Sequence, residues 1–409
     1  MNATIIFVLL LGLMLTGMPV SISLGLTVLT FLFGFTNVPL ESVALKLFTG
    51  IEKFEIMAIP FFILAGNFLT HGGVARRMIN FASSMVGHWY GGLGLAGVLG
   101  CALFAAVSGS SPATVVAIGS ILLPAMTRAG FPRSFGAGVI TTSGALGILI
   151  PPSIVMVMYS VATNTSVGAL FMAGVIPGLA LAGVLGGVTW YRARKFNYPR
   201  LTKATWGERF KAFKASAWGL LLIVIVMGGI YTGLFTPTEA AAMSAVYAFF
   251  VAVFVYKDMG LKDVPRVLLN SANMSAMLLY IITNAVLFSF ILTNENIPQA
   301  LADWMLGHGL GMITFLLACN VILLLAGNFM EPSSIVLIFA PILFPVAIKL
   351  GIDPVHFGII MVVNMEVGMC HPPVGLNLYV ASGITKMGIT ELTVAVWPWL
   401  LAMLGFLGL

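Results

Sequence analysis

The stretch Gly144-Ala145-Leu146-Gly147-Ile148-Leu149-Ile150-Pro151-Pro152-Ser153 decides the fold. It lies inside an apolar run from about Phe135 to Val161, where a membrane helix is expected. Two adjacent prolines remove two backbone donors and clash with the preceding turn, so the helix breaks there. Irregular backbone at membrane depth is tolerated only when buried in protein or lining a wet cavity. A broken helix of this kind can hold an ion on freed carbonyls.

Working outward, Val367-Gly368-Met369-Cys370-His371-Pro372-Pro373-Val374-Gly375 echoes it, again inside an apolar run, from His356 to about Ser382. Gly87-His88 answers Gly307-His308, Pro124 answers Pro345, Gly130 answers Gly351 and Gly147 answers Gly368. The offset is about 220 residues throughout. One match is chance; an ordered series ending on Pro-Pro marks an internal repeat.

Composition sets the class. Of 409 residues, 60% are hydrophobic and 8% charged, about a third of the soluble norm. A soluble protein this apolar would aggregate, and the long continuous runs exclude an alternating β-barrel. The chain reads as all-α and polytopic. Cys101, Cys319 and Cys370 lie in apolar surroundings without CxxC spacing, as small buried hydrophobes. Met1 to Phe35 is too long for a signal h-region and lacks a basic n-region, so it is expected to be retained.

In order, Met1–Gly17 and Pro19–Phe35 read as two short helices, and Pro39–Phe54 as an amphipathic segment at the interface. A helix over about 55–69 precedes Arg76 and Arg77, and Val74–Tyr90 reads as an interfacial helix anchored by Trp89 and Tyr90. Leu93–Val107 and Ala113–Met126 are arms of about 15 residues, roughly 22 Å, short of the ~30 Å core. They read as a re-entrant hairpin, about 93–127, with its tip at Ser108–Pro112. The first broken helix, 135–161, and Leu170–Trp190 complete a first repeat over 1–195.

Eight of the 19 Lys and Arg fall between Arg192 and Lys214, a loop that reads as cytoplasmic and contains the basic linker 196–214. The second repeat, 215–409, carries helices at 218–235, 240–256 and 274–292, and a hairpin at about 312–349 with its tip at Gly327–Ser334. The broken helix 356–382 and a last span, 394–409, follow. Five full spans separate the two hairpins, and an odd count inverts the second repeat. Arg128, Arg133, the two basic loops and Lys386 then share one side. The two hairpins open to opposite sides with their tips facing at mid-membrane.

The tips offer Ser108, Ser110, Ser111, Asn328, Glu331, Ser333 and Ser334; the breaks offer carbonyls around Gly147 and Gly368, with Ser153 and His371. Oxygen-rich, glycine-flexible surroundings suit a hard cation such as sodium, and helix N-termini after each tip suit a carboxylate. The bland reading of any single serine is a helix-to-helix or backbone hydrogen bond, so the argument rests on the cluster. An intramembrane carboxylate is functional by default, which singles out Glu331 and Glu366. Glu366 could equally pair with a neighbour or carry a proton. His371 could be a ligand, a proton carrier or a helix-end donor. His88 and His308 read as structural anchors. No HExxH, GxSxG or Walker A sequence occurs, so the chain is not expected to be an enzyme, and transport would run on an ion gradient.

The strings SGSSPATVVAIGSILLPAM from Ser108, GALGILIPPS from Gly144, GNFMEPSSIVLIFAPILFP from Gly327 and NMEVGMCHPPVGLNLYV from Asn364 closely resemble the large membrane subunit of tripartite ATP-independent periplasmic (TRAP) transporters. The resemblance covers essentially the whole chain. It implies an elevator-type, sodium-coupled importer of an organic anion, a carboxylate, in the bacterial inner membrane. It also implies two partners, a small four-helix membrane subunit and a periplasmic substrate-binding protein. No cofactor beyond the coupling sodium and no nucleic acid is expected. By position it places sodium near Ser108, Gly109, Ser110, Gly147 and Pro151 at one site, and near Gly327, Asn328, Gly368, Cys370 and His371 at the other. The substrate is expected at Ser111, Pro112, Ser153, Glu331, Pro332, Ser333 and Pro373. The chain departs from the family at His371, where Thr usually precedes the second Pro-Pro; a backbone carbonyl could still serve. A carboxylate symporter needing no binding protein, and an intramembrane enzyme using Glu331, Glu366 or His371, are the competing readings.

Overall fold

Continuous apolar runs fold here into helices alone, and no strand occurs among the described residues. The computed structural model describes residues 2–36, 38–309, 311–373 and 375–409. Outside them lie Met1, read as the start of the first repeat, Asn37, Leu310, read just before the second hairpin, and Val374, read as part of the second proline stretch.

In the first half, α1 (Asn2–Leu15) and α2 (Val20–Phe35) are separate helices, with Pro19 at the start of the second. The amphipathic α3 (Leu40–Ile51) leads through a 3-10 turn, Phe54–Met57, into α4 (Ala58–His71). Helix α5 (Val74–Val86) follows, with Arg76 and Arg77 both paired to Asp258. The first hairpin is α6 (Gly92–Ser108) and α7 (Ser111–Arg128). Its tip is tighter than expected: only Gly109 and Ser110 stand outside the helices. The first broken helix comprises α8 (Arg133–Ser143), a 3-10 turn at Gly144–Ile148 and α9 (Ile154–Thr163). Helix α10 (Val167–Lys195) closes the half.

The second half opens earlier than the charge pattern implied. Thr205 and Glu208 form a reciprocal capping box that starts α11 (Trp206–Tyr231). Arg209, Lys211 and Lys214 are therefore helical, and the irregular linker shortens to 196–205. A second capping box, Thr236 with Glu239, and Pro237 at the first turn start α12 (Pro237–Phe250). Then come α13 (Val264–Asn294), α14 (Ile297–Gly307), the hairpin of α15 (Met312–Gly327) and α16 (Pro332–Lys349), and the broken helix of α17 (Pro354–Cys370) and α18 (Leu376–Thr385). Helix α19 (Ile389–Leu407) is last. The Pro151-Pro152 and Pro372-Pro373 peptide bonds are cis.

Packing repeats with the sequence. Helix α7 packs on α18, and its counterpart α16 packs on α9; α8 packs on α19, as α17 does on α10; α2 packs on α13, as α12 does on α4. In these pairs each partner comes from the opposite half, so the repeats are interleaved rather than side by side. Seven described helices are long and apolar enough to cross a membrane; one, α16, is the returning arm of the second hairpin. The hairpin arms have 16 to 18 residues, about 24–27 Å, short of the ~30 Å hydrocarbon core. Ile176, Leu179 and Val224 stand exposed on α10 and α11, as lipid-facing side chains do.

Candidate functional site

Each hairpin tip rests on the proline break of its own half. Gly109 carries the first tip in the left-handed region, φ +60°, where a side chain is strained. A Cβ there would lie 2.8 Å from the Pro152 carbonyl oxygen, and a Cβ on Gly147 only 2.6 Å from that of Ser110. In the second half, a Cβ on Gly327 would lie 2.9 Å from Gly368 Cα, and the reverse distance is the same. Backbone meets backbone closely at both places, with the Ser110 and Pro152 carbonyls at the first crossing.

Side chains complete each contact differently. At the first tip Ser108 Oγ lies 2.9 Å from Thr114 Oγ1, which donates to the Ser110 carbonyl at 2.8 Å. Ser110 Oγ has no hydrogen bond to any described residue. At the second, His371 Nδ1 and Asn328 Oδ1 are 2.9 Å apart, joining break to tip. Cys370 is fully buried and donates weakly to the Thr141 carbonyl at 3.4 Å.

A cavity of about 440 Å³ lies between the tips. Gly109, Ser110, Ser111 and Pro112 line it from one side, and Glu331, Pro332 and Ser333 from the other. Asn67 and Thr70 of α4, with Met274, Met277 and Leu278 of α13, form a further wall. The N-termini of α7 and α16 therefore both open on this space. Glu331 is its one titratable residue; no Lys, Arg or His is among the described residues that line it. Glu331 accepts from Ser334 Oγ at 3.0 Å.

The structure divides the expected residues. Gly147, Pro151, Gly327, Asn328, Gly368, Cys370 and His371 do not line the cavity, although Ile148 and Met369 beside them do, whereas Gly109 and Ser110 face it. Ser111, Pro112, Glu331, Pro332 and Ser333 line the cavity, but Ser153 and Pro373 do not. Ser153 is fully buried: its hydroxyl donates to the Ile148 carbonyl at 2.6 Å and caps α9 by accepting from the Met156 amide. Glu366 is fully buried and neither carboxylate oxygen has a hydrogen-bond partner among the described residues.

Three participants escaped the sequence reading. Thr114 closes the first tip, Thr141 supplies a carbonyl, and Asn377 joins the halves. The buried Asn377 amide donates to Ser111 Oγ at 2.8 Å and to the Thr141 carbonyl at 3.3 Å. The signal for Asn377 was an amide inside an apolar segment just after the second Pro-Pro.

The half-helices α9 and α18 start at the breaks, and a base holds the far end of each. Lys53 donates to the Val161 carbonyl and to Asn164 Oδ1; Arg133 donates to the Thr385 carbonyl. Cations at helix C-termini complement the macrodipole, leaving the opposite ends directed at the breaks.

Residues 7–409 match the family model described as "Tripartite ATP-independent periplasmic transporter, DctM component". The chain is 76% identical to the C4-dicarboxylate TRAP transporter large permease protein DctM of Rhodobacter capsulatus, over 100% of this chain and 96% of that protein. It is 54% identical to the protein of the same description from Pseudomonas aeruginosa, over 94% and 90%. In fold it is similar to the crystal structure of the Alcanivorax borkumensis YdaH transporter, with TM-score 0.62 at 17% identity, covering 90% of this chain and 87% of that one.

Proposed function

From the premise that this chain belongs to the DctM-component family of tripartite ATP-independent periplasmic transporters, we propose that it imports C4-dicarboxylates on a sodium gradient. It is a large permease, a multi-pass protein of the bacterial inner membrane, and its relatives are transporter subunits rather than enzymes. Its proposed partners are a small four-helix membrane subunit and a periplasmic binding protein that delivers the anion.

One observation carries the ion coupling: among the described residues that line it, the cavity between the tips holds a carboxylate and no base. A dicarboxylate brings two negative charges. Two helix N-termini offer roughly +0.5 each, and Glu331, when ionised, subtracts one. Something positive must enter with the substrate. The tip-and-break contacts, made of carbonyls and hydroxyls with a glycine at each crossing, suit sodium: Ser108, Ser110 and Gly147 in one, Gly327, Gly368 and His371 in the other. More than one ion per turnover follows from the duplication. The helix N-termini at Ser111–Pro112 and Pro332–Ser333 would bind the substrate carboxylates, and an elevator motion would carry tips and breaks together past α4 and α13.

The test is uptake of labelled succinate into proteoliposomes containing this chain and the small subunit, with preloaded binding protein outside. Uptake should require an inward sodium gradient. Equal uptake on a proton gradient in sodium-free buffer sinks the coupling, and equal uptake without binding protein favours a self-sufficient symporter.

A further inference from the structure

We propose that the groove between α10 and α19 binds one anionic phospholipid, with its phosphate on Arg192. Helix α10 has 29 residues, about 43 Å, longer than the ~30 Å core. Its last turns, with Trp190, Tyr191, Arg192, Arg194 and Lys195, therefore stand at headgroup depth, where aromatic and basic residues collect.

Arg192 is held there but not satisfied. Its guanidinium lies 5.2 Å from the Trp399 ring centre and 5.7 Å from that of Phe196. Its Nε is buried without a hydrogen-bond partner among the described residues. No ion pair or hydrogen bond joins its side chain to any described residue. About one turn earlier, Trp399 Nε1 donates to Thr189 Oγ1 at 2.8 Å and pins α19 to α10. The arginine is fixed in place with its fork of donors open, and that fork matches phosphate.

Two clefts meet at Arg192. One, of about 550 Å³, runs between Phe135, Val394 and Ala395, with Ser134, Thr390 and Glu391 at its polar end. The other, of about 620 Å³, runs past Val188 and Pro398 to Lys195. Apolar walls lead away from a basic end on both sides of one guanidinium, the arrangement that a headgroup with two acyl chains would fill. Glu391 opposes an anion. It makes no ion pair with Arg192, and it sits in the first turn of α19, where the helix dipole favours it. Arg192 and Lys195 leave the lining groups net positive. A soluble anion could meet the guanidinium but would leave the apolar walls uncovered. The cytoplasmic leaflet, rich in anionic lipid, is the side to which the positive-inside rule assigns this end.

The test uses the full chain, delipidated in a neutral maltoside detergent and titrated with phosphatidylglycerol. Bound lipid is counted by native mass spectrometry and the melting temperature is followed in parallel. Phosphatidylglycerol should bind and raise Tm, and phosphatidylcholine should do neither. Arg192→Gln should weaken binding at least tenfold. Val394→Trp, at a position 72% exposed and so tolerant in folding, should weaken it by filling the groove with the charge intact. Arg209, which lies over Trp206 with an unpartnered Nε but lines neither cleft, is the matched control, and Arg209→Gln should bind as wild type. Equal binding of phosphatidylcholine, unchanged binding by Arg192→Gln and Val394→Trp, or a full Tm shift from glycerol 3-phosphate alone would each overturn the proposal. The last would mark a soluble-anion site.

Discussion

Asn377 donates to the Ser111 hydroxyl over 2.8 Å, tying the helix after the second proline break to the first hairpin tip. The bond crosses 266 residues and both repeats. The same amide reaches the Thr141 carbonyl in the first broken helix, so one buried side chain holds three of the four functional segments. The Ser111 hydroxyl is thereby engaged with protein, and at the cavity Ser111 is left to offer its place in the first turn of α7. We predict that Asn377→Ala strands the buried Ser111 hydroxyl and takes one of two donors from the Thr141 carbonyl, at a cost of about 1–3 kcal/mol. Thermal melting in detergent should show a lower Tm, and sodium should restore less of it than in wild type. An equal sodium-induced rise in variant and wild type would mean that the amide does no more than pack.

Ser110→Ala separates ion binding from folding. Its hydroxyl has no partner among the described residues, so Tm without sodium should hold. Loss of a sodium ligand worth about 1.4 kcal/mol raises the apparent sodium constant about tenfold. Ser153→Ala should behave in the opposite way. It loses the α9 cap, at about 1 kcal/mol of stability, with the sodium constant near wild type. A sodium titration of uptake for both variants decides; an unchanged constant for Ser110→Ala makes the tip structural.

What the sequence disclosed and hid follows from what kind of residue does the work. Proline and glycine punctuate the chain wherever it stands, so both breaks, both hairpins and the tip glycines could be read from their positions. Ser153 was read as a substrate contact because it follows Pro151-Pro152. It also precedes a helix, the usual place for a capping serine, and that is its observed role. Asn377, Thr114 and Thr141 were missed because their partners lie across a helix turn or in the other repeat. Nothing local marks a polar residue inside an apolar run as interhelical. The start of α11 was hidden by its charge run, although Thr205 and Glu208 have capping-box spacing.

Gly368→Ala should abolish transport. A Cβ there meets Gly327 Cα at 2.9 Å, backbone against backbone, with no flexible side chain to yield. The tip must lift off the break or the helix must shift, and either opens the carbonyl cage. Gly12→Ala, with nothing within 4 Å of the added carbon, is the control and should transport normally. Uptake at saturating sodium by Gly368→Ala within twofold of wild type would show that the close approach is dispensable.

Lys53 makes the final case, because it joins the segment before α4 to the end of α9. If α4 and α13 stay still while tips and breaks move, this contact must break in each cycle. Lys53 therefore stabilises the arrangement seen here relative to the displaced one. Burial pushes its pKa down from the ordinary lysine range, partly offset by Glu55. The sign follows from that direction. A pKa lower here than in the exposed, displaced state means that the present arrangement sheds the proton first, so rising pH favours it, from the lowered pKa up to the ordinary lysine range. Lys53→Ala loses both hydrogen bonds and should shift the population toward the displaced state, and Lys53→Arg, which cannot neutralise, should lack the alkaline gain of the present state. Accessibility of Ser110→Cys to an impermeant maleimide from the two membrane faces reads the population. The same labelling ratio and the same pH profile in wild type, Lys53→Ala and Lys53→Arg would show that the contact breaks without consequence.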